Sequence, residues 1–180
     1  MESDNQKLQN SGEGEPTFKM ADWINNPKEV DRYAWSSPYI TALQNHGFEN
    51  DEIKNVLWSI MAESGGKGTA MQKGGGGGMG AIQLTGDANK KQYSEKLTKM
   101  LGRPVNLFNP AEYKNPDVNP ALTAAYFSDR DRGKGYHNFA DVHRALAPKD
   151  RNPQNRIDWL NKNKIRPPDD TDFMIHQEAR

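Results

Sequence analysis

Apolar side chains recur along most of this chain at intervals of three and four residues, the spacing that lays a single stripe along an α-helix. The clearest case follows Asn50, where Ile53, Val56, Leu57, Ile60 and Met61 fall at i, i+3, i+4, i+7 and i+8. That pattern predicts a helix capped by Asn50 and buried along one face. Before it, Ser37-Pro38 offers a cap followed by proline at the first helical position, and Gly47 supplies the stop, which predicts a helix over about 38–46. After it, Asp87 caps a third helix whose apolar positions Tyr93, Leu97, Met100 and Leu101 end at Gly102. Asn119-Pro120 opens a fourth through Phe127, Asn138 a fifth through Leu146, and Asn152-Pro153 a sixth bearing Ile157 and Leu160. No β-branched alternating run of useful length is present, and only Gly80 to Thr85 has the character of a short strand or extended turn. The fold class expected is mostly α.

The two ends break the pattern. Residues 1–17 contain almost nothing to bury and read as a disordered segment, while 167–180, with Pro167-Pro168 followed by Asp169, Asp170 and Asp172, reads as a polar tail of similar kind. Phe18 to Trp35 carries Trp23, Ile24, Tyr33 and Trp35 without periodicity, as an irregular arm across a core would. One domain over 18–166 is the organisation that 180 residues and this helix spacing imply. Apolar residues make up only 34% of the chain and mean hydropathy is -0.99, in keeping with ends that do not pack.

Charge and composition then narrow the function. Lys plus Arg and Asp plus Glu are 24 each, so the broad positive field of a nucleic-acid binder is missing and no nucleic acid is expected as a partner. Cysteine is absent, which excludes disulfides and thiolate chemistry. The longest apolar run is Ala124 to Phe127, so no membrane span is expected, and Met1 to Pro16 lacks the basic and apolar regions of a secretory signal. Synthesis in the cytoplasm without a signal peptide is the resulting expectation. The glycine run Gly74 to Gly78 leads into Met79-Gly80-Ala81 and not into a helix carrying Lys and a hydroxyl, so it reads as a mobile loop beside a cleft and not as a phosphate cradle. His137 and His143 stand six apart and His46 and His176 lie elsewhere, so no metal and no cofactor are expected.

One residue carries candidate chemistry. Glu63 follows Ile60 by three positions and Val56 by seven, which puts it in the last turn of the second helix at the edge of its apolar face. Desolvation by apolar neighbours and the negative end of the helix dipole both favour the protonated carboxyl there. A carboxylic acid held protonated is the proton donor that glycosidic cleavage needs, while a solvated Glu in the turn before Ser64-Gly65-Gly66 is an equally simple reading of the same spacing.

The stretch Ala62-Glu63-Ser64-Gly65-Gly66, with Gly80-Ala81-Ile82-Gln83-Leu84-Thr85-Gly86 and Ala88-Asn89 after it, resembles the lysozyme-like superfamily. It is most similar to family-19 chitinase-type glycoside hydrolases and the related phage endolysins, with similarity to lytic transglycosylases in the same residues. The resemblance covers roughly residues 50–165, including Asn115-Pro116 and the Tyr126-Phe127 pair. It implies a lysozyme-like single domain with a Gly-rich loop or small β element beside the cleft. It implies Glu63 as general acid, with Ser64, Gln83, Thr85, Asn89 and Tyr126 as substrate-binding positions. A family-19 enzyme also places a second Glu between the two motifs, yet Ser64 to Gln83 holds no acidic residue. Asp87 is the nearest stand-in, better read as a helix cap, and Glu112 is a more distant one. Goose-type lysozymes and lytic transglycosylases manage with a single Glu.

The function implied is that of a muramidase, cutting between N-acetylmuramic acid and N-acetylglucosamine in a peptidoglycan glycan strand. Lytic transglycosylase, chitinase and catalytically silent lysozyme-fold module are the alternatives. The resemblance to phage enzymes further implies delivery to the cell wall by virion, holin or secretion system, with the N-terminal segment as a docking point for a carrier. Lys90, Lys91, Lys96 and Lys99 on the third helix suit an anionic polymer, and Asp129 to Lys134 reads as a solvated helix end or one wall of a saccharide cleft. Trp23, Trp35, Trp58 and Trp159 are each core or sugar-stacking candidates.

Overall fold

A computed structural model describes residues 32–72, 77–131, 133–149, 152–170, 172, 173 and 176. Six α-helices appear among them: α1 (Ser37–Asn45), α2 (Asn50–Ser64), α3 (Asp87–Leu101), α4 (Val118–Asp131), α5 (Phe139–Leu146) and α6 (Gln154–Lys162), with a 3₁₀ turn at Pro110–Lys114. All six helices expected from the apolar spacing are present, and the mostly-α class holds. None of the described helices is long and apolar enough to cross a membrane. The 1–17 segment, Trp23 and most of the 18–35 arm lie outside the described residues.

Helix starts differ from the expected caps by a residue. Glu52 turns back to accept from the Glu49 backbone N–H at 3.1 Å, so Glu49 and not Asn50 stands at the N-cap of α2. Gly86 precedes α3, which makes Asp87 its first helical residue, where a carboxylate faces the positive end of the helix dipole. Ser36 precedes α1, and α4 begins at Val118, which leaves Asn119 inside the helix with its side chain free for other work. Asn138 does cap α5, accepting from Asp141 N, and Asn152 accepts from Gln154 N at the head of α6.

The one-face expectation for α2 is also corrected. From Glu52 to Met61 every residue except Lys54 is buried, because α1, α5 and α6 all pack on it. Its polar residues have found partners: Glu52 accepts from Tyr136 N at 3.0 Å, and Asn55 donates to Tyr136 O at 3.0 Å. A single loop residue is thereby gripped at both backbone groups, satisfying donors and acceptors that burial would otherwise make costly. Trp58, fully buried, donates to Ile165 O at 3.2 Å and packs edge-on against Phe139. Val118 to Phe127 of α4 is buried at all ten positions, and α3 lies along it.

Of the polar tail expected over 167–180, the described residues 167–170, 172, 173 and 176 include some held against the domain. Arg166 and Asp172 form a buried ion pair, and Tyr33 donates to the Arg166 carbonyl at 2.6 Å. Lys54 on α2 pairs with Asp170 and lies 5.8 Å over the ring of Phe173, itself 4% exposed. Composition missed this because one aromatic and one compensated pair are enough to hold a short polar segment. Phe173→Ala is therefore expected to lower unfolding free energy by about 3 kcal/mol, measured by urea denaturation; an unchanged midpoint would mean that the segment does not contribute to the core.

Candidate active site

The last turn of α2 delivers Glu63 to a cleft of about 670 Å³. Gly65 closes the helix in the left-handed conformation, φ 64°, with its N–H on Met61 O at 3.1 Å. Gly66 follows at φ 81°, so close to Trp35 that an added Cβ would lie 2.3 Å from the indole nitrogen. No other residue fits at that point. Ser64 accepts from Gly66 N and donates to Ile60 O, both at 3.3 Å, so its hydroxyl is occupied in ending the helix.

A compact loop pair forms the facing wall. Met79 makes isolated antiparallel bridges to both Met71 and Leu84. Gln83 holds φ 53°, unusual for a residue with a side chain, and its amide donates to Gly80 O at 2.8 Å and Ala70 O at 3.1 Å. The strained conformation is thus tied down from both strands of the turn. Gly74, Gly75 and Gly76 of the glycine run lie outside the described residues, while Gly78 donates to the Gln72 side chain at 2.9 Å.

Behind this wall stands Asn119. Its Oδ1 accepts from Ala81 N at 2.9 Å, and its Nδ2 donates to Gly68 O at 3.1 Å and Tyr113 O at 3.3 Å. Gly68 and Gly80 are glycines because it is there: a Cβ on either would lie 2.6 Å from the Asn119 amide.

Arg156 and Trp159 of α6 complete the cleft, with Leu146 and Ala147 at the end of α5. Arg156 donates to both Glu63 oxygens, at 3.1 and 3.5 Å, and the Glu63 side chain is 10% exposed against 41% for Arg156. The expectation of a carboxyl among apolar neighbours alone is corrected: a guanidinium compensates it. Arg156 and Trp159 flank Ile157 and Leu160, the buried residues of α6, so both sit at the border of its apolar face; for Arg156, which the sequence reading missed, that position is the one signal available, whereas residue type already marks Trp159. Trp159 at 43% and Met71 at 43% are exposed at the cleft mouth, and Lys67 adds a second cation.

Of the expected site residues, Glu63, Ser64, Gln83 and Thr85 line this cleft, whereas Asp87, Asn89 and Tyr126 do not. Asn89 donates to Thr85 O at 3.1 Å and accepts from Arg130 at 3.4 Å, acting behind the rim. Tyr126 is buried and donates to Ala145 O at 2.7 Å. Burial above all raises its phenol above the ordinary value; Arg130 opposes this and the Glu63 carboxylate adds to it, which places Tyr126 within electrostatic reach of the site. Asp87 is exposed, and Glu112 is spoken for, accepting from Asn106 N at 2.8 Å, Asn115 at 2.6 Å and Arg103 at 3.3 Å. These contacts, the Asn106 N–H foremost, hold Glu112 below the usual carboxylate range.

Lys90 is buried with its ammonium on Gly77 O at 2.7 Å, so it braces the loop and does not face a polymer. Lys96 pairs with Asp129 at 2.5 Å; Lys91 and Lys99 are exposed. His46 and His137 are exposed, and His143 and His176 are buried.

No protein-family model, curated protein or solved structure matches this chain. The site must therefore be read from its own geometry.

Asn119→Ala would leave the buried Ala81 N–H without its acceptor and uncouple Gly68 from α4. It is expected to cost about 2–3 kcal/mol, measured by chemical denaturation, and to broaden the NMR resonances of residues 68–85 more than those of α5; uniform destabilisation without that local effect would overturn the assignment of Asn119 as the tie.

Proposed function

We propose that the chain is a peptidoglycan-cleaving muramidase with Glu63 as its proton donor. The observation that carries the reading is a nearly buried carboxyl at the floor of an open cleft, the only carboxylate lining that cleft among the described residues, beneath an exposed indole at the mouth. A cleft of this volume accommodates a short run of sugar rings, and an exposed Trp edge suits their apolar faces. Backbone carbonyls and the Gln83 and Thr85 side chains supply hydrogen-bonding groups along one wall.

In the resting site the Glu63 carboxylate accepts from Arg156. Proton donation requires the carboxyl in its acid form facing the glycosidic oxygen, so as the glycan enters the guanidinium, two-fifths exposed and anchored on the short helix α6, swings aside and the carboxylate takes up a proton from solvent. Departure of the leaving sugar then creates an oxocarbenium-like centre that needs a nucleophile.

The placement of Asp87 and Glu112 favours a second reading of that last step. With both stand-ins for a water-activating base away from the cleft, the substrate's own C6 hydroxyl captures the centre, and Glu63, now ionised, takes the hydroxyl proton. The product is a 1,6-anhydro sugar, lighter by one water than the hydrolysis product.

Glu63→Gln keeps size and hydrogen bonding while removing the acid. Release of soluble fragments from purified sacculi is expected to fall roughly 10²–10⁴-fold with an unchanged circular dichroism spectrum. Near wild-type release by the folded variant would overturn the reading. Mass spectrometry of the wild-type products separates the two routes: anhydro-muropeptides support single-carboxylate transfer, and reducing ends support hydrolysis.

A further inference from the structure

A second hollow of about 560 Å³ lies between the middle of α3, the end of α4 with its following loop, and α5, apart from the Glu63 cleft. Its lining alternates in sign: Asp129, Arg130 and Asp131 from the end of α4, Lys134 from the following loop, and Asp141 and Arg144 from α5. These charges fall into two sets. Those at the floor are committed to the fold: Arg130 donates to the Tyr93 hydroxyl at 2.6 Å and lies 3.7 Å over the Tyr126 ring, Tyr93 donates to Asp129 at 2.9 Å, and Asp131 accepts from Gly135 N. Those at the rim are exchangeable. Lys134 is exposed, and Asp141 and Arg144 form a 2.8 Å pair one turn apart with side chains 29% and 61% exposed, a surface arrangement that contributes little and opens readily to a ligand.

The hollow adjoins the cleft at two points. Along α5, Ala145 lines the hollow while Leu146 and Ala147 line the cleft. Across the other side, the Asn89 side chain joins Thr85 at the cleft rim to Arg130 at the hollow. Residues adjacent in the chain, Ala145 and Leu146, thus belong to the two linings.

We propose that this hollow is a binding site for a zwitterionic peptide, carrying carboxylates and an ammonium group together, and that it receives the stem peptide of the glycan that the cleft holds. The proposal rests on the peptidoglycan reading of the cleft. Neutral sugar rings offer no counter-charge to Lys134 or to the exchangeable Asp141–Arg144 pair, and a uniform polyanion would meet three aspartates. A peptide with both signs meets each in turn: its carboxylates reach Lys134 and Arg144, and its ammonium reaches Asp141 as Arg144 lets go.

The test is binding, independent of cleavage. The full chain is titrated by calorimetry with a synthetic stem pentapeptide bearing a free lysine-type amine and free carboxylates, with the same peptide acetylated and amidated to neutrality, and with chitohexaose. The wild type is expected to bind the charged peptide at least about tenfold more tightly than its neutral form. Lys134→Ala with Arg144→Ala removes that preference, Arg144→Lys retains most of it, and Glu63→Gln leaves it intact. Equal affinity for charged and neutral peptides overturns the proposal, as does charge preference abolished by Glu63→Gln and untouched by the double variant. Chitohexaose binding that depends on Lys134 and Arg144 also overturns it, by making the hollow an extension of the sugar groove. Charge-selective peptide binding by a wild-type protein that releases nothing from sacculi removes the catalytic reading and keeps the peptide site.

Discussion

The buried amide of Asn119 is the constraint on which the arrangement of the site depends. It accepts from Ala81, donates to Gly68 and Tyr113, and so joins α4 to both loops of the cleft wall and to the 3₁₀ turn. Three hydrogen bonds from one side chain in a dry setting hold geometry better than three separate contacts, because none can lengthen without exposing the others' donors and acceptors. The neighbouring residue types follow from it. Gly68 and Gly80 lack Cβ atoms where the amide approaches, and Gly80 at φ 81° packs against the Tyr113 ring as well.

That constraint recasts the motif from Gly80 to Gly86. As a pattern it reads as a sugar-binding segment, yet much of it is engaged internally: Ile82 and Leu84 are buried, Ala81 holds Asn119, and the Gln83 amide braces Gly80 and Ala70. Thr85 and Gln83 line the cleft, with Ile82 contributing an almost fully buried edge. A motif of this kind is a set of residues that can close a tight two-bridge turn, and on the proposed reading the chemistry it serves comes from elsewhere, from the end of α2. Gly65 and Gly66 have the same character, since one ends the helix and the other makes room for Trp35.

The helices were readable from apolar spacing and their flanking cap and stop residues, even where α2 and α4 turned out to be buried on more than one face; α2, α3 and α5 run within a residue or two of the expected spans. What could not be read was the polar work across long separations. Asn119 presents itself as a helix cap, and nothing local indicates that its side chain reaches back 38 positions to Ala81. Arg156 lies 93 positions from Glu63, and a lone Arg beside an apolar stripe is ordinary. The burial of Asp172 likewise depends on Arg166 facing it, a pairing between the last residue of the expected domain and a charge that composition assigns to the polar tail. Glu63 itself was legible, as a carboxyl at the end of a buried helix, but its partner was not.

Arg130 and Arg156 show why two similar side chains serve different ends. Arg130 stacks on Tyr126, donates to Tyr93 and reaches Asn89, so three contacts fix it and moving it would disturb the packing of α3 on α4. Arg156 has its guanidinium on Glu63 from a short helix at the protein surface, 41% exposed, with open cleft beside it. For the guanidinium, water or an incoming acceptor can replace the carboxylate, while Glu63, at 10% exposure, gives up its counter-charge, so the cost of separation falls on the carboxyl. Tyr126 lies between the two, fixed by Arg130 on its face and by Ala145 at its hydroxyl, and within the field of Glu63. A rigid cation behind the site and a releasable one in front of it give the carboxyl a fixed setting with one movable contact, and on the proposed reading that movable contact is what a glycan must displace before Glu63 can act as an acid.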